Sequence, residues 1–367
     1  MTDLSPSQRS WNKFKRNKIA VVSLVIIIIT VSVAILGYLI MPDPTPMANN
    51  MTIQLSIKKP GSNFMMLRLR KTEPVDTVNV FNKMLFGQPS FYRDIPITGY
   101  RFKKNTVDVN EYIGAEDKPE KKTYVLPHSL NGPSAIIIHR TFRLGTDIYG
   151  RDLLSRLILG TRVSLSVGLM SVIISILLGV SIGAVAGYFG GWADAALSWL
   201  MNILWALPAL LLVIAISFAL GKGLWQIFLA VGLSMWVEVA RLVRGQVLSL
   251  KQVEYIEAAR SLGFNNSRII TRHILPNIIG PILVLASSNF ASAILLEAGL
   301  SFLGFGAQPP MPTWGSMIKE HYGYIVMDAA YLAVIPGLAI MLLVYAFNLV
   351  TIGLRDAFDI KSQSSRF

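Results

Sequence analysis

Few residues in this chain are of a type and spacing to do covalent chemistry. Gly179-Val-Ser181-Ile-Gly183 has the Gly-x-Ser-x-Gly spacing of a nucleophile elbow, where a sharp strand-to-helix turn holds a serine for activation by a histidine and an acid. These five residues lie inside an uninterrupted apolar stretch with no strand before them and no acid nearby, so no nucleophile is expected. The same glycines, continued by Gly187, recur every four residues and give a helix one smooth face for close contact with another helix. The histidines are His128, His139, His273 and His321, with no mutual spacing of a metal-binding set. The chain has no cysteine, which excludes disulfides, a thiol nucleophile and thiolate ligation. Gly221-Lys222-Gly223 lacks the rest of a phosphate-binding Gly-x-x-x-x-Gly-Lys-Ser/Thr loop, so no ATPase motif is present. Glu238 is a carboxylate in an apolar segment and so a functional candidate by default. Arg241, three positions on, and Arg244, six on, give the plainer expectation of an interfacial ion pair.

The elements that carry these residues are membrane spans. Hydrophobic residues make up 53% of the chain and charged residues 15%, with mean hydropathy +0.51, whereas soluble domains are about a quarter charged. The lipid bilayer is therefore the expected solvent. The net charge of +13 is scattered between apolar segments; an anionic membrane surface accounts for it, and nucleic acid is not expected as a partner. Residues 1–18 form a basic N-terminus, and 19–42 are too long an apolar run for a cleaved signal, so they read as a first span. Charge-free stretches at 163–193, 195–221, 274–296 and 329–354, and a shorter one at 223–237 continuing past Glu238, give six spans. Cations cluster at residues 1–18, 241–272 and 355–367, which predicts that both termini and the 241–272 region are cytoplasmic.

Residues 43–160 then fall outside the membrane. Met51–Ile57 alternates like a strand, Ile97–Phe102 with Thr106–Val109 reads as a hairpin, and Pro74–Gly87 reads as a short helix capped near Asp76. A small extracytoplasmic α+β insert is expected. Near its end, Leu153, Leu154, Leu157 and Ile158 fall on one helical face and Arg151, Asp152, Ser155 and Arg156 on another, the pattern of a helix lying at the outer interface.

The polar stretch Ser249–Pro276 interrupts the apolar pattern. Ser249 and Gln252 have capping-box spacing, and Val253, Ile256, Ala259 and Leu262 recur at helical spacing. Gly263 is placed to end that helix, and Asn265, Asn266 or Ser267 to cap another that Pro276 interrupts. No lipid is available to the apolar stripe, so a soluble partner is expected to cover Val253, Ile256 and Leu262.

Glu257-Ala258-Ala259, three residues, Gly263, then Leu275-Pro276 resembles the EAA loop of bacterial ATP-binding-cassette (ABC) importer permeases, with His273 where the family pattern prefers Ile. His-Ile-Leu-Pro-Asn at 273–277, Gly145-Thr-Asp, Gly150-Arg-Asp-Leu-Leu-Ser-Arg-Leu, Gly160-Thr-Arg-Val-Ser-Leu, and the run from Gly299 to Gly315 resemble the dipeptide/oligopeptide/nickel branch. The resemblance covers 10–42 loosely and 144–356 well.

The resemblance does not cover most of 43–140; joined to the spans and topology read above, it gives an all-α, six-span type I permease bundle: cytoplasmic N-terminus 1–18, first span 19–42, extracytoplasmic insert and interfacial helix 43–160, permease core 161–354 with the coupling loop at 249–276, and cytoplasmic tail 355–367. It further implies two ABC ATPase subunits, a second permease subunit and an extracytoplasmic solute-binding protein as partners, with ATP bound by the ATPases and no cofactor in this chain. By resemblance the ATPase-coupling residues are Glu257, Ala258, Ala259, Leu262, Gly263, Phe264 and Pro276. The expected function is half of a peptide pathway across the inner membrane; a nickel or other small-solute permease of the same branch is the alternative. An ion-coupled secondary transporter would need charges deep in the bundle or inverted repeats, and a non-transporting scaffold built around the insert is the third class.

Overall fold

A computed structural model describes residues 6–71, 75–103, 106–114, 118–125 and 137–358. His128 and the tail beyond Phe358 lie outside the described residues. The chain opens with two helices, α1 (Pro6–Arg16) and α2 (Lys18–Ile40). In α2, a 23-residue run of mostly Val, Ile and Leu spans roughly 35 Å as a helix. Lipid leaves backbone groups no partner but each other, which overrides the strand preference of β-branched residues.

The following segment carries β1 (Ser62–Arg70), α3 (Val80–Phe86), β2 (Tyr92–Lys103), β3 (Thr106–Glu111), β4 (Glu120–Val125) and β5 (Ile137–Phe142). Then come α4 (Leu153–Phe189), α5 (Gly191–Ala206), α6 (Ala209–Leu220), α7 (Leu224–Leu250), α8 (Glu254–Ser261) and α9 (Asn266–Arg268). A π-helical turn, Ile269–Ile274, leads into α10 (Leu275–Leu303), and α11 (Trp314–His321) and α12 (Tyr331–Phe358) complete the order. Five helices are long and apolar enough to cross a membrane, or six spans if the bent α5–α6 pair counts as one.

The chain divides into two compact units. One holds the described residues up to Val31, Ser164–Gln308 and those from Gly337 on. In it α4 meets α7 along the glycine face read from the sequence. A Cβ on Gly179 would lie 2.4 Å from Val239, one on Gly183 2.4 Å from the Ala240 carbonyl, and one on Gly187 2.8 Å from the Arg244 carbonyl.

The other unit holds Ser32–Val163 and Pro309–Pro336. Its antiparallel sheet has the order β4-β3-β2-β1-β5. Alternation along β1 sends Leu67 to one apolar layer with Ile95, Ile97, Val107 and Val109, and Met66 to the opposite one with Leu55 and Phe142. The hairpin read at 97–109 is β2–β3.

Several expectations are corrected. The 195–221 stretch is not one straight span: Pro208, without an amide hydrogen, follows α5, and the pair bends by 99°. Met51–Ile57 is a short 3-10 turn over Ile53–Leu55, because Leu55 turns inward and Ile57 takes a left-handed backbone. The helix read at 74–87 starts at Val80 after Asn79, not near Asp76. Residues 153–158 are no separate interfacial helix; they are the first turns of the 37-residue α4, and Arg151, Asp152, Ser155 and Arg156 are all buried.

Candidate functional site

The Ser249–Pro276 region forms in one unit from α7, α8 and the start of α10. No helix begins at Ser249: α7 runs through it to Leu250, so the expected capping box does not form. α8 starts instead after Val253, with Glu254 and Glu257 in its first turn, where carboxylates complement the exposed amides. Its end is a Schellman turn. Gly263, at φ +76°, lets Phe264 N donate to Ala259 O at 3.2 Å while Gly263 N donates to Arg260 O at 2.9 Å. Nothing lies within 4 Å of where a Gly263 Cβ would stand, so backbone conformation, not space, selects glycine here. Asn265 caps the next helix, its Oδ1 accepting from Ser267 N at 2.9 Å.

Pro276 does not interrupt that helix. It occupies the first turn of α10, directly after the π-helical turn, where its missing donor is accommodated.

The apolar stripe is divided, which corrects the expectation that a partner covers all of it. Ile256 is fully buried and Ala259 nearly so, in a cluster of this chain's own residues with Val243, Val247, Ile269 and Ile274. Burying Ile256 is worth about 1.5–3 kcal/mol, enough to fix α8 against its own bundle. What faces outward is a neighbouring stripe at helical spacing, Tyr255, Ala258 and Leu262, with Leu262 74% exposed. Glu257 and Gly263 are exposed beside it. Phe264 is half-buried, its ring 5.9 Å from that of His273 and 4.3 Å from the Arg268 guanidinium. Sequence reasoning missed Tyr255, whose hydroxyl accepts from Asn277 Nδ2 at 3.1 Å; its i−3 spacing from Ala258 was the available signal.

Glu238 does not pair with Arg241. Arg241 donates to Asn202 Oδ1 at 2.5 Å and lies 3.9 Å from the Trp205 ring centroid, while Arg244 binds Asp194. Glu297, one position past the charge-free stretch 274–296, lies within α10 and is fully buried, accepting from Ser164 Oγ at 3.1 Å and Ser301 Oγ at 2.7 Å.

The second unit gathers a charged cluster that spacing did not reveal. Asp147 Oδ1 accepts from the amides of Tyr149 and Arg151, at 2.9 Å each, and closes the turn before α4. Arg151 Nε meets Asp147 Oδ2 at 2.5 Å, and its Nη2 meets Glu320 Oε2 at 3.0 Å. Buried Arg156 faces the same two carboxylates at 3.5 and 3.8 Å. His321, 0% exposed, has Nδ1 2.6 Å from Met317 O, and burial holds its imidazole below the ordinary range. Asp147, Glu320 and His321 offer ligand atoms within 4.8 Å of one another. Two guanidiniums already balance the two carboxylates, however, so a divalent cation would add uncompensated buried charge, and the set is an ion-pair network.

Comparison with known proteins bears on both units. Residues 179–362 match the family described as binding-protein-dependent transport system inner membrane component, and residues 5–58 match the N-terminal TM domain of oligopeptide transport permease C. The glutathione transport system permease protein GsiD of Pectobacterium atrosepticum is 46% identical over 221 residues, covering 60% of this chain and 73% of that protein. The dipeptide transport system permease protein DppC of Alkalihalophilus pseudofirmus is 43% identical over 235 residues, covering 64% and 75%. Among solved structures, the inward-facing MetNI methionine ABC transporter aligns with 54% of this chain and 95% of its own at 19% identity, with a TM-score of 0.43.

Proposed function

Because the chain belongs to the family of binding-protein-dependent transport system inner membrane components, we propose that it is the permease subunit of an ABC importer for peptides, forming half of the translocation pathway. Its similarity to glutathione and dipeptide permeases supports short peptides as the substrate class. It is a multi-pass inner-membrane subunit. Both termini are cytoplasmic in this reading, as the distribution of cations argues, and residues 43–160 are then extracytoplasmic. Two ATPase subunits, a second permease and a solute-binding protein complete the assembly, and hydrolysis belongs to the ATPases.

The observation that carries the mechanism is α8. Ile256 and Ala259 anchor it to the bundle while Tyr255, Ala258 and Leu262 face away with Glu257 beside them. A short helix seated firmly on one side and presenting an apolar edge on the other can receive force at its outer face and pass it inward. In this role Glu257 makes a charge-assisted contact with the ATPase surface, and Ala258 and Leu262 fill its groove. Ala259 and Phe264 hold the helix from behind, Gly263 sets the turn, and Pro276 starts the span that responds. ATP binding and release by the partners would then bias the bundle between two arrangements.

The test is reconstitution of the permease pair with its ATPases and binding protein in vesicles, with uptake of glutathione and dialanine measured against ATP hydrolysed. Gly263→Pro is expected to abolish ATP-driven uptake, since proline cannot adopt φ +76°, while the subunit still inserts. Full uptake by that variant would remove the coupling role.

A further inference from the structure

Tyr188 is the penultimate residue of α4, and its side chain is 4% exposed. Its hydroxyl donates to Asn266 Oδ1 at 2.8 Å, at the start of α9. Its carbonyl accepts from Lys251 Nζ at 2.5 Å, in the turn before α8. The Arg260 guanidinium, near the end of α8, lies 5.8 Å from its ring centroid. One residue of α4 therefore holds three successive parts of the coupling loop.

The chain's connectivity makes this arrangement consequential. α8 is joined to α7 by the turn at 251–253 and to α10 through the Gly263 turn, α9 and the π-helical turn, so their ends follow its movement through the backbone. α4 has no such link to the loop through the chain: it follows through its glycine face on α7 and, at its end, through the contacts it makes with the loop itself. Ala184 and Tyr188 supply the apolar part of those contacts, packing in one cluster with Ile256 and Ala259. A tyrosine buried only to fill space needs one acceptor for its hydroxyl; here the hydroxyl meets Asn266 while the ring lies 5.7 Å from the Lys251 ammonium and 5.8 Å from the Arg260 guanidinium, so the side chain itself reaches three parts of the loop.

We propose that Tyr188 is a positioning residue that locks the end of α4 to the coupling loop, so that α4 and α8 move as one body when the ATPases change state. This rests on the coupling role of α8 proposed above.

Because the chain has no cysteine, Val185→Cys and Gln252→Cys can each carry one spin label in the complete assembly of permease pair, ATPases and binding protein. Val185, one turn before Phe189 on α4, is 41% exposed and Gln252 is exposed, and neither touches Tyr188, whereas the Phe189 ring lies 5.4 Å from the Tyr188 ring. The inter-label distance is measured without nucleotide and with ATP plus vanadate. Less than about 2 Å of change between states is expected in the parent assembly, and more in both Tyr188→Phe and Asn266→Ala, about 1–2 Å being the scale of helix shifts in switching proteins. A larger change in the parent overturns the proposal. So does a distance that stays fixed in the two variants, whether or not their melting temperature falls, because Tyr188 is then a packing residue. Failure of the coupling reading itself shows separately, as Gly263→Pro assemblies that retain ATP-driven uptake.

Discussion

Arg244 and Asp194 meet through two parallel contacts, Nε to Oδ1 at 2.5 Å and Nη2 to Oδ2 at 2.7 Å, tying α7 to the first turn of α5. Ser198 Oγ also donates to Asp194 Oδ1, at 3.1 Å. Two-pronged guanidinium–carboxylate pairs are among the strong hydrogen bonds of proteins, but both side chains here are partly exposed (32% and 20%), which screens the charges. Asp194→Ala is expected to lower stability by about 1 kcal/mol, read as a fall in melting temperature in detergent. Exchanging the charges, Asp194→Arg with Arg244→Asp, should recover part of the loss.

Gly183 offers a sharper test of how α4 and α7 pack. Its missing Cβ would stand 2.4 Å from the Ala240 carbonyl, and backbone cannot yield as a side chain can. Gly183→Ala is expected to destabilise by about 1–3 kcal/mol, the range for overpacked cores. Gly245→Ala, with nothing within 4 Å of its Cβ position inside α7, should leave the melting temperature unchanged or raise it, by up to about 1 kcal/mol of stability, because alanine favours the helix. Equal melting temperatures for the two variants would contradict the close helix contact.

Glu297 gives a prediction about buried polarity. Two serine hydroxyls, from Ser164 on α4 and Ser301 on α10, point at its carboxyl group inside the bundle. Glu297→Leu removes their acceptor and should cost about 1–3 kcal/mol, the penalty for leaving buried hydroxyls unpaired. Glu297→Gln keeps an acceptor oxygen and should lose less, so thermal unfolding should rank parent, Gln and Leu in that order.

His321 predicts a pH dependence. Burial, with Arg156 nearby, outweighs the opposing hydrogen bond to Met317 O and the carboxylates of Asp147 and Glu320, so folding lowers the imidazole's proton affinity. A base weakened by folding contributes stability that is complete above its ordinary value of about 6.5 and is lost as pH falls through the lower folded value. The melting temperature of the parent should therefore drop on going from pH 7.5 to 5.5. His321→Gln, which cannot titrate, should show a shallower slope across that window.

Much of this protein follows from local rules. Apolar runs longer than a bilayer's hydrocarbon core could only be helices, the Gly179–Gly183–Gly187 repeat could only be a face without side chains, and Gly263 could only be a turn. These features depend on neighbours close in sequence, and composition expresses them directly. The Glu-Ala-Ala to Pro spacing likewise pointed to the family, because it fixes several residue types at once.

Tertiary structure decided which side of each element faces what. Helical spacing put Ile256 and Leu262 on one stripe, yet α7 and the π-helical turn cover Ile256 and leave Leu262 bare. Arg151 and Arg156 looked like a water-facing edge because nothing in their own stretch announces Glu320, some 170 positions away, as the partner that makes burial tolerable. Arg241 and Arg244 passed over Glu238, their neighbour in sequence, for Asn202 and Asp194 on another helix. Periodicity specifies that a face exists; only packing between distant segments sets its surroundings, because burial and ion pairing depend on distance in space.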